Sequence, residues 1–490
     1  MVSTWAALRK RSASPPPRIL PAEQIPEQES PVPAEAFSPQ ELIRNAIRRC
    51  AVEAVIWGMP VVGFDVMYQE MVRKAKGGGF NTLLWWPKLP DWKNQTLTPE
   101  PDAIYLMAFL NTKGGPLVLE IPRAASHGMV LGGSIMNRWQ AAIADIGTGG
   151  VDKGEGGKYL VLPPYHDRGR DRAHDRDRRA AGMIATFSDS YLGYAVIRIV
   201  PASAAPADVE RAIAQARAIR LYPLSRAENP PAATFVDASD VIFDATLRYD
   251  LSFYESVHRM VTAEPWLERD RAMIEPLKTI GIERGKPFAP DAATKLVLDE
   301  AMREAKAWLD FHTDRLAPWH EGGHWFAPIS QDVARNVTSF WRAPDSYPTG
   351  QRAMACSMAF LSGMDVGDAP HSLMTMRDRE GHRLDGGRQY RLTIPAAVPA
   401  SRNWTVTVYD RKTHAFIRNM PWAGRSVADL VPNPDGSVDI WLGAAAPAGM
   451  EANWIPADSA GQFEVMARFY GAQKPLMDKS WRLPDIERVG

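Results

Sequence analysis

Apolar and polar residues alternate with a period of two along the last quarter of the chain. The alternation is clearest in four segments, residues 390–394, 404–409, 438–442 and 463–469. Successive side chains of a β-strand point to opposite faces of a sheet, so this pattern predicts strands rather than helices. The turn sequence at 433–436, Asn-Pro-Asp-Gly, comes just before one of these strands. We therefore predict that residues 371–490 form an antiparallel β domain of the sandwich or jelly-roll-like kind.

The chain is too long for one hydrophobic core. At 490 residues, two or three packed units are expected. Upstream of residue 371, apolar strand-forming runs at 117–121 and 158–162 predict buried β structure, whereas helical spacing dominates 208–220, 250–262 and 291–315. We predict an α+β, multi-domain fold with two β-rich domains and a helical insertion between them: a disordered segment 1–37, a mixed β-rich domain 38–235, a helical region 236–370, and the C-terminal domain 371–490.

The first helix has a strong start signal. Ser38 is followed by Pro39 and, three residues on, by Glu41, which is the arrangement of a capping box. Apolar residues then recur at helical spacing. Because proline inside a helix removes one hydrogen bond, we predict that this helix ends or kinks at residues 58–60. The residues before Ser38 are rich in Pro, Ser, Glu and Gln and bury too little apolar surface to fold.

Composition excludes several classes of protein. The 57 basic and 57 acidic residues balance, so neither nucleic acid nor a membrane is expected as a partner. The two cysteines exclude a disulfide-dense scaffold and a four-cysteine zinc site. We interpret the Arg/Asp-rich run 166–179 as a solvated loop, with a local nucleic-acid contact as the alternative. The apolar stretch 5–8 is too short for a signal peptide, and a cytoplasmic location is therefore expected.

Several long motifs resemble one known family. These are WKNQTLTPEPDAIYLMAFLNTKGGPLVLEIP and GGKYLVLPP in the first half, and VYDRKTHAFIRNMPW, NPDGSVDIWLG, EANWIPA and FYGAQKPLMDKSWRLPDIERV in the second. They resemble a bacterial family known mainly as two paired domains of unknown function, numbered twelve fifty-four (N-terminal) and twelve fourteen (C-terminal). The resemblance covers roughly residues 38–489. It implies two β-rich domains with helices between them and a homo-oligomer, and many relatives look exported.

One literal metal motif occurs. His320-Glu321-Gly322-Gly323-His324 matches H-E-x-x-H, in which two histidines one helical turn apart bind zinc. Two adjacent glycines disfavour a helix, and prolines flank the segment, so a glycine turn is the competing interpretation. His320 and His324 remain the weak metal candidates, and no other cofactor is indicated. Cys50 and Cys356 lie in apolar surroundings and are interpreted as small core residues rather than nucleophiles.

The segment 94–105 is the favoured candidate site. Its proline-punctuated sequence places Asn94, Asp102 and Tyr105 outside regular structure. Asp102 supplies a candidate general base and Tyr105 a phenolic donor, while Asn94 offers an amide for substrate binding. The competing interpretation is that these side chains satisfy backbone groups at turns.

A second group of candidate substrate-binding residues follows at 137–139. Asn137, Arg138 and Trp139 offer an amide, a fixed charge and an aromatic face, which suit a carboxylate or a planar ligand. A buried structural ion pair of Arg138 is the alternative. Trp85 is a candidate wall of an aromatic pocket, although most of the 16 tryptophans are expected in the core.

Taken together, these patterns favour an enzyme that hydrolyses a small apolar or aromatic-bearing compound in a cleft between the two β-rich parts. In this hypothesis Asp102 performs general acid/base catalysis, Tyr105 assists it, and Arg138 orients an anionic group. Two alternatives stay open: a non-catalytic ligand-binding or assembly protein, and a metal-dependent hydrolase using His320 and His324.

Overall fold

The structure is a computed structural model that describes residues 37–124, 128–164, 182–329, 347–360 and 371–489. Two predictions lie outside these residues: disorder in segment 1–37, except at its last residue, and the solvated loop at 166–179. Residues 46–490 form one compact unit, and residues 37–45 belong to a separate short unit that contains the start of the first helix.

The first helix, α1, spans Pro39–Lys74. Its capping box is confirmed, because Glu41 accepts a hydrogen bond from the Ser38 amide at 2.7 Å and the Ser38 hydroxyl accepts one from the Glu41 amide at 3.2 Å. The helix does not end at residues 58–60 but continues through Pro60. The helix is long and apolar enough to cross a membrane. However, 78% of its most apolar 18-residue stretch is buried inside the fold, as in the core helix of a globular protein.

Six further α-helices lie in the described part of the chain. They are α2 (Pro206–Arg217), α3 (Leu251–Ala263), α4 (Arg271–Ile274), α5 (Ala292–Thr313), α6 (Thr349–Met358) and α7 (Lys474–Met477). The predicted helices at 208–220, 250–262 and 291–315 correspond to α2, α3 and α5. Asp250 and Asp291 cap α3 and α5 by accepting backbone hydrogen bonds.

Twelve strands form the sheets of the N-terminal part. They are β1 (Leu83–Trp85), β2 (Asn94–Gln95), β3 (Ile104–Asn111), β4 (Leu117–Ile121), β5 (Val130–Asn137), β6 (Ala142–Gly147), β7 (Gly157–Leu162), β8 (Met183–Phe187), β9 (Leu192–Val200), β10 (Arg220–Pro223), β11 (Phe235–Asp237) and β12 (Phe243–Asp244). A six-stranded sheet has the order β11-β1-β3-β9-β5-β6, a four-stranded sheet has the order β10-β4-β7-β8, and β12 pairs with β2.

Both faces of the six-stranded sheet are buried. One face packs with the four-stranded sheet and α2, through residues such as Leu106, Ile197 and Leu119. The opposite face packs with α1, α3, α5 and α6, through residues such as Phe109 and Tyr194. A strand that is covered on both faces carries apolar side chains on both. The central strands therefore appear in the sequence as continuous apolar runs.

The C-terminal part is a sandwich of two four-stranded sheets. Its strands are β13 (His371–Thr375), β14 (Gln389–Ile394), β15 (Ala400–Asp410), β16 (Gly424–Ser426), β17 (Val438–Gly443), β18 (Trp454–Pro456), β19 (Phe463–Ala472) and β20 (Glu487–Val489). The sheet orders are β13-β19-β15-β16 and β18-β17-β14-β20, and the two sheets enclose one apolar core. The pairs are antiparallel as predicted, except that β17 and β18 run parallel. The α+β class with two β-rich parts is confirmed.

Candidate functional site

The loop between β2 and β3 is held by the C-terminal sandwich. Thr98 has a left-handed backbone with φ of 41°, which is uncommon for a residue other than glycine. Its amide donates to the carbonyl of His414 at 2.7 Å, and its own carbonyl accepts from Arg468 at 2.9 Å. Tyr409 donates its hydroxyl to the carbonyl of Pro99 at 2.6 Å. The conformation of this N-terminal loop therefore depends on residues of the C-terminal sheet.

The loop between β2 and β3 covers a polar face of the sheet β13-β19-β15-β16. On β19, Glu464, Arg468 and Tyr470 share one face, because side chains alternate along a strand, whereas Val465 and Phe469 on the other face enter the sandwich core. All three are almost fully buried. A polar face of this kind is ordinarily solvated, so its burial here produces a charged cluster between the two β-rich parts.

Glu100 is the ionised centre of this cluster. It is 4% exposed and accepts a hydrogen bond from Arg198 at 2.5 Å and one from Tyr470 at 3.0 Å. The Arg468 guanidinium lies 4.0 Å from the same carboxylate. Burial by itself raises the pKa of Glu100, but the two arginines and the hydrogen bonds outweigh burial, and the pKa is lowered from its ordinary value.

Asp102 lies beside Glu100, but its pKa is shifted in the opposite direction. Its pKa is raised to about 7, first by burial and then by the negative charge of Glu100. The Tyr470 hydroxyl lies 3.5 Å from Asp102 Oδ1, a long contact, whereas Oδ2 is buried and makes no hydrogen bond with any described residue. Two neighbouring carboxyl groups whose pKa values are driven apart are the arrangement found in acid/base sites.

A cavity of about 420 Å³ opens next to Asp102. Its walls come from residues 89–92, 101–102 and 200–204 on one side and from residues 402–405 and 417–429 on the other. Trp92, Met420 and Trp422 supply apolar and aromatic surface, and Thr405 contributes a buried hydroxyl without a hydrogen-bond partner among the described residues. The volume is in the range of pockets that bind small organic ligands.

The other candidates of segment 94–105 have structural contacts. Asn94 is buried, and its Oδ1 accepts a hydrogen bond from the Thr96 hydroxyl at 2.7 Å. The Tyr105 hydroxyl accepts from the Glu100 amide at 3.1 Å, and burial raises the pKa of Tyr105 well above its ordinary value. Neither residue lines the cavity. Tyr105 therefore holds the backbone of Glu100 in place.

The group at 137–139 lies inside the N-terminal core, away from the cavity walls. The Asn137 side chain accepts from the amides of Trp139 and Ala141, both at 2.9 Å, and so shapes the turn after β5. Arg138 donates to the carbonyl of Met260, and burial lowers the pKa of its guanidinium to about 10. Trp139 packs against another core tryptophan with ring centroids 4.7 Å apart.

Trp85 also packs in the core and not at the cavity. It is 7% exposed, and its ring contacts Phe235 at 5.0 Å between centroids and the Arg217 guanidinium at 5.6 Å. Trp92 of the same tryptophan-rich stretch is the one that reaches the cavity wall.

The H-E-x-x-H segment is a turn. Residues 319–322 form a bend and a turn, with Gly322 in the left-handed region at φ of 71°. His320 and His324 are therefore not placed one helical turn apart, as zinc binding by this motif requires. Among the residues that the structure describes, no group of three His, Cys, Asp or Glu side chains suits a metal ion. Cys356 is buried, which raises the pKa of its thiol to about 12 and makes it a poor nucleophile.

Sequence reasoning missed Glu100, Arg198, Arg468 and Tyr470. Glu100 falls inside the favoured segment, but nothing in the sequence links it to two arginines that are 98 and 368 positions away. A usable signal was present in β19, where Glu, Arg and Tyr recur on one face of a strand that is apolar on the other.

Comparison with known proteins gives two family matches. Residues 80–223 match the family described as protein of unknown function (DUF1254), and residues 370–474 match the one described as protein of unknown function (DUF1214). No curated protein matches the chain.

Two solved structures are similar over most of the chain. A crystal structure of a Vibrio parahaemolyticus protein is 17% identical, with a TM-score of 0.56, and the match covers 91% of this chain and all of that one. An uncharacterised protein from Burkholderia cenocepacia is 10% identical, with a TM-score of 0.39, and the match covers 91% of this chain and 94% of that one. At this identity the Vibrio protein supports the fold alone.

Proposed function

Since the chain belongs to the family that joins DUF1254 to DUF1214, in which no activity is assigned, we propose a function from its own residues. The proposal is that the protein is an enzyme that hydrolyses a small apolar or aromatic-bearing compound in the cavity beside Asp102. The observation that carries it is Asp102 itself, a cavity-wall carboxyl group whose Oδ2 has no hydrogen-bond partner among the described residues.

The protonation behaviour of Asp102 suits this chemistry. A general acid or base works best when its pKa lies near the working pH, and the pKa of Asp102 is about 7. In the proposed step, the fraction of Asp102 that is ionised near its pKa removes a proton from water while the water oxygen bonds to the electrophilic carbon of the substrate. The bond to the leaving group then breaks, and Asp102 returns the same proton to that group.

The cavity walls support an apolar or aromatic substrate. Trp92, Trp422 and Met420 present apolar surface, beside charged and polar side chains that include Asp102, Arg402 and Arg425. Pockets of this composition gain affinity from the buried apolar body of a ligand and use the polar groups to orient it. Assembly as a homo-oligomer belongs to the same proposal and rests on the family resemblance.

The test compares Asp102→Asn with a matched surface control. Asp240 is a suitable control because its side chain is 90% exposed and it lies outside the cavity walls. Purified proteins are assayed against chromogenic esters, amides and glycosides of aromatic alcohols and amines. For any probe that is turned over, Asp102→Asn is expected to lower kcat by roughly 10²–10⁴-fold, the usual contribution of an acid/base group, and Asp240→Asn is expected to have no effect.

Two outcomes decide between this function and the alternatives. Equal turnover by Asp102→Asn and wild type removes the proposed mechanism. Absence of turnover, together with a co-purified compound that native mass spectrometry finds intact, favours a non-catalytic binding protein. A stoichiometric metal in elemental analysis of active protein would instead favour the metal-dependent alternative.

A further inference from the structure

The hydroxyl of Tyr470 lies between the two carboxyl groups. It is 3.0 Å from Glu100 Oε2 and 3.5 Å from Asp102 Oδ1. A phenol has one hydrogen to donate and can accept through its oxygen, whereas an ionised carboxylate can only accept. If both carboxyl groups were ionised, Tyr470 could satisfy just one of them. The other would face the lone pairs of the phenol oxygen.

The surrounding charges decide which carboxyl group receives that hydrogen. Glu100 is nearer to Tyr470 and has the guanidinium groups of Arg198 at 2.5 Å and Arg468 at 4.0 Å. Asp102 makes no ion pair with any described residue. A buried carboxylate without a cation is costly, so the proton of the pair belongs on Asp102.

We propose that Asp102, Tyr470 and Glu100 form a directional hydrogen-bond chain at rest, in which protonated Asp102 donates through Oδ1 to Tyr470 and Tyr470 donates to ionised Glu100. In this arrangement the three groups share two hydrogen bonds, and the buried Oδ2 of Asp102 is the carboxyl oxygen that has no partner among the described residues. Glu100 and Tyr470 are then positioning residues that set the resting protonation of the acid/base group. The inference deepens the proposed function and rests on it for its catalytic meaning. The hydrogen-bond chain itself can exist in a protein that has no hydrolytic activity.

The remaining groups around the pair do not compete for these hydrogen bonds. They come from four strands, with Tyr105 on β3, Arg198 on β9, Tyr409 on β15 and Arg468 on β19. The Tyr409 hydroxyl donates to a backbone carbonyl, and the Tyr105 hydroxyl accepts from a backbone amide. Arg468 donates to Thr98 and Thr407 as well as facing Glu100, and it opposes the rise in the pKa of Asp102 without cancelling it.

The direction of the hydrogen-bond chain is tested by titrating Asp102 in the absence of substrate. Infrared difference spectra recorded as a function of pH report the carbonyl band of a protonated carboxyl group. The Asp102 band is assigned by its absence from Asp102→Asn. If Tyr470 accepts from protonated Asp102, Tyr470→Phe removes that stabilisation and lowers the pKa of Asp102 by roughly half to one unit, the effect of one hydrogen bond. If Tyr470 instead donates to ionised Asp102, the same substitution raises the pKa, and the proposed chain is overturned.

Glu100→Gln provides an independent second variant. Removing the charge of Glu100 is expected to lower the pKa of Asp102 by about one unit or more, because a like charge nearby no longer opposes ionisation. An unchanged Asp102 titration in this variant, with the far-ultraviolet circular dichroism of wild type, contradicts the chain. Because the infrared readout needs no turnover, a protein that lacks hydrolytic activity can still show the chain, and the two proposals fail separately.

Discussion

The pKa of Asp102 predicts a specific dependence of stability on pH. In the unfolded chain the carboxyl group titrates near its ordinary value of 3.8, and in the folded protein its pKa is about 7. The raised value means that the folded state binds the proton more tightly than the unfolded state does. The contribution of Asp102 to stability is therefore fully present below about pH 4 and is lost as the pH rises to about 7.

The size of this effect follows from the two pKa values. Each unit corresponds to ~1.4 kcal/mol, so ionising Asp102 in place costs up to about 4 kcal/mol of folding free energy above pH 7. Asp102→Asn mimics the protonated acid in shape and hydrogen bonding but cannot ionise. The variant should match wild type near pH 4 and exceed it in stability by a few kcal/mol at pH 8.

Denaturant unfolding of wild type and Asp102→Asn, followed by tryptophan fluorescence at intervals from pH 4 to pH 8, measures the difference. Titrations elsewhere in the chain are common to both proteins and cancel. Asp240→Asn, at an exposed side chain, should track wild type at every pH. If the stability difference between Asp102→Asn and wild type does not grow with pH, the argument that Asp102 is held protonated is wrong.

Four further outcomes are expected. Tyr409→Phe removes the hydrogen bond to the Pro99 carbonyl at 2.6 Å. Because a buried acceptor is left unpaired, the free energy of unfolding should fall by about 1–3 kcal/mol. An unchanged denaturation midpoint would contradict this. Gly133→Ala should prevent stable folding, since its Cβ would lie 2.2 Å from the Val196 carbonyl oxygen in the six-stranded sheet, and soluble expression with a native melting curve would show otherwise. The Cys356 thiol, with its pKa raised to about 12, should react with a thiol reagent only after denaturation. Light scattering after gel filtration should give a mass of at least twice 54.3 kDa, and a mass equal to that of one chain would contradict the expected homo-oligomer.

Local patterns in the sequence were sufficient to predict most elements. Alternation in the C-terminal part located β14, β15, β17 and β19, the capping box located the start of α1, and helical spacing located α3 and α5. Of the two outcomes predicted at residues 58–60, an end or a kink, the end does not occur, because α1 continues through Pro60. There the residues around Pro60 are buried against the six-stranded sheet and α3, and the apolar contacts outweigh the missing hydrogen bond, which local sequence alone does not reveal.

The site was predicted only in part for the same physical reason. Asp102 was identified because a carboxylate, prolines and a tyrosine stand close together in the sequence. Its electrostatic surroundings come from β9 and β19, and periodicity shows which face of a strand a residue occupies but not what covers that face. The aromatic and charged residues at 137–139 were plausible ligand groups by type, yet they lie in the core, where large aromatics are mostly found.

The charge balance around Glu100 gives a physical reason for the two β-rich parts to occur in one chain. Arg198 lies in the N-terminal sheet and Arg468 in the C-terminal sheet, and both face the same buried carboxylate. Removing one partner of a buried charge cluster leaves the remaining charges uncompensated, which is strongly destabilising. The polar face of β19 would likewise be exposed without the 94–102 loop, and the loop would lose the contacts that shape Thr98. Neither part can therefore keep the Glu100–Asp102 pair in its observed state alone, and the proposed acid/base group exists only where the two parts meet.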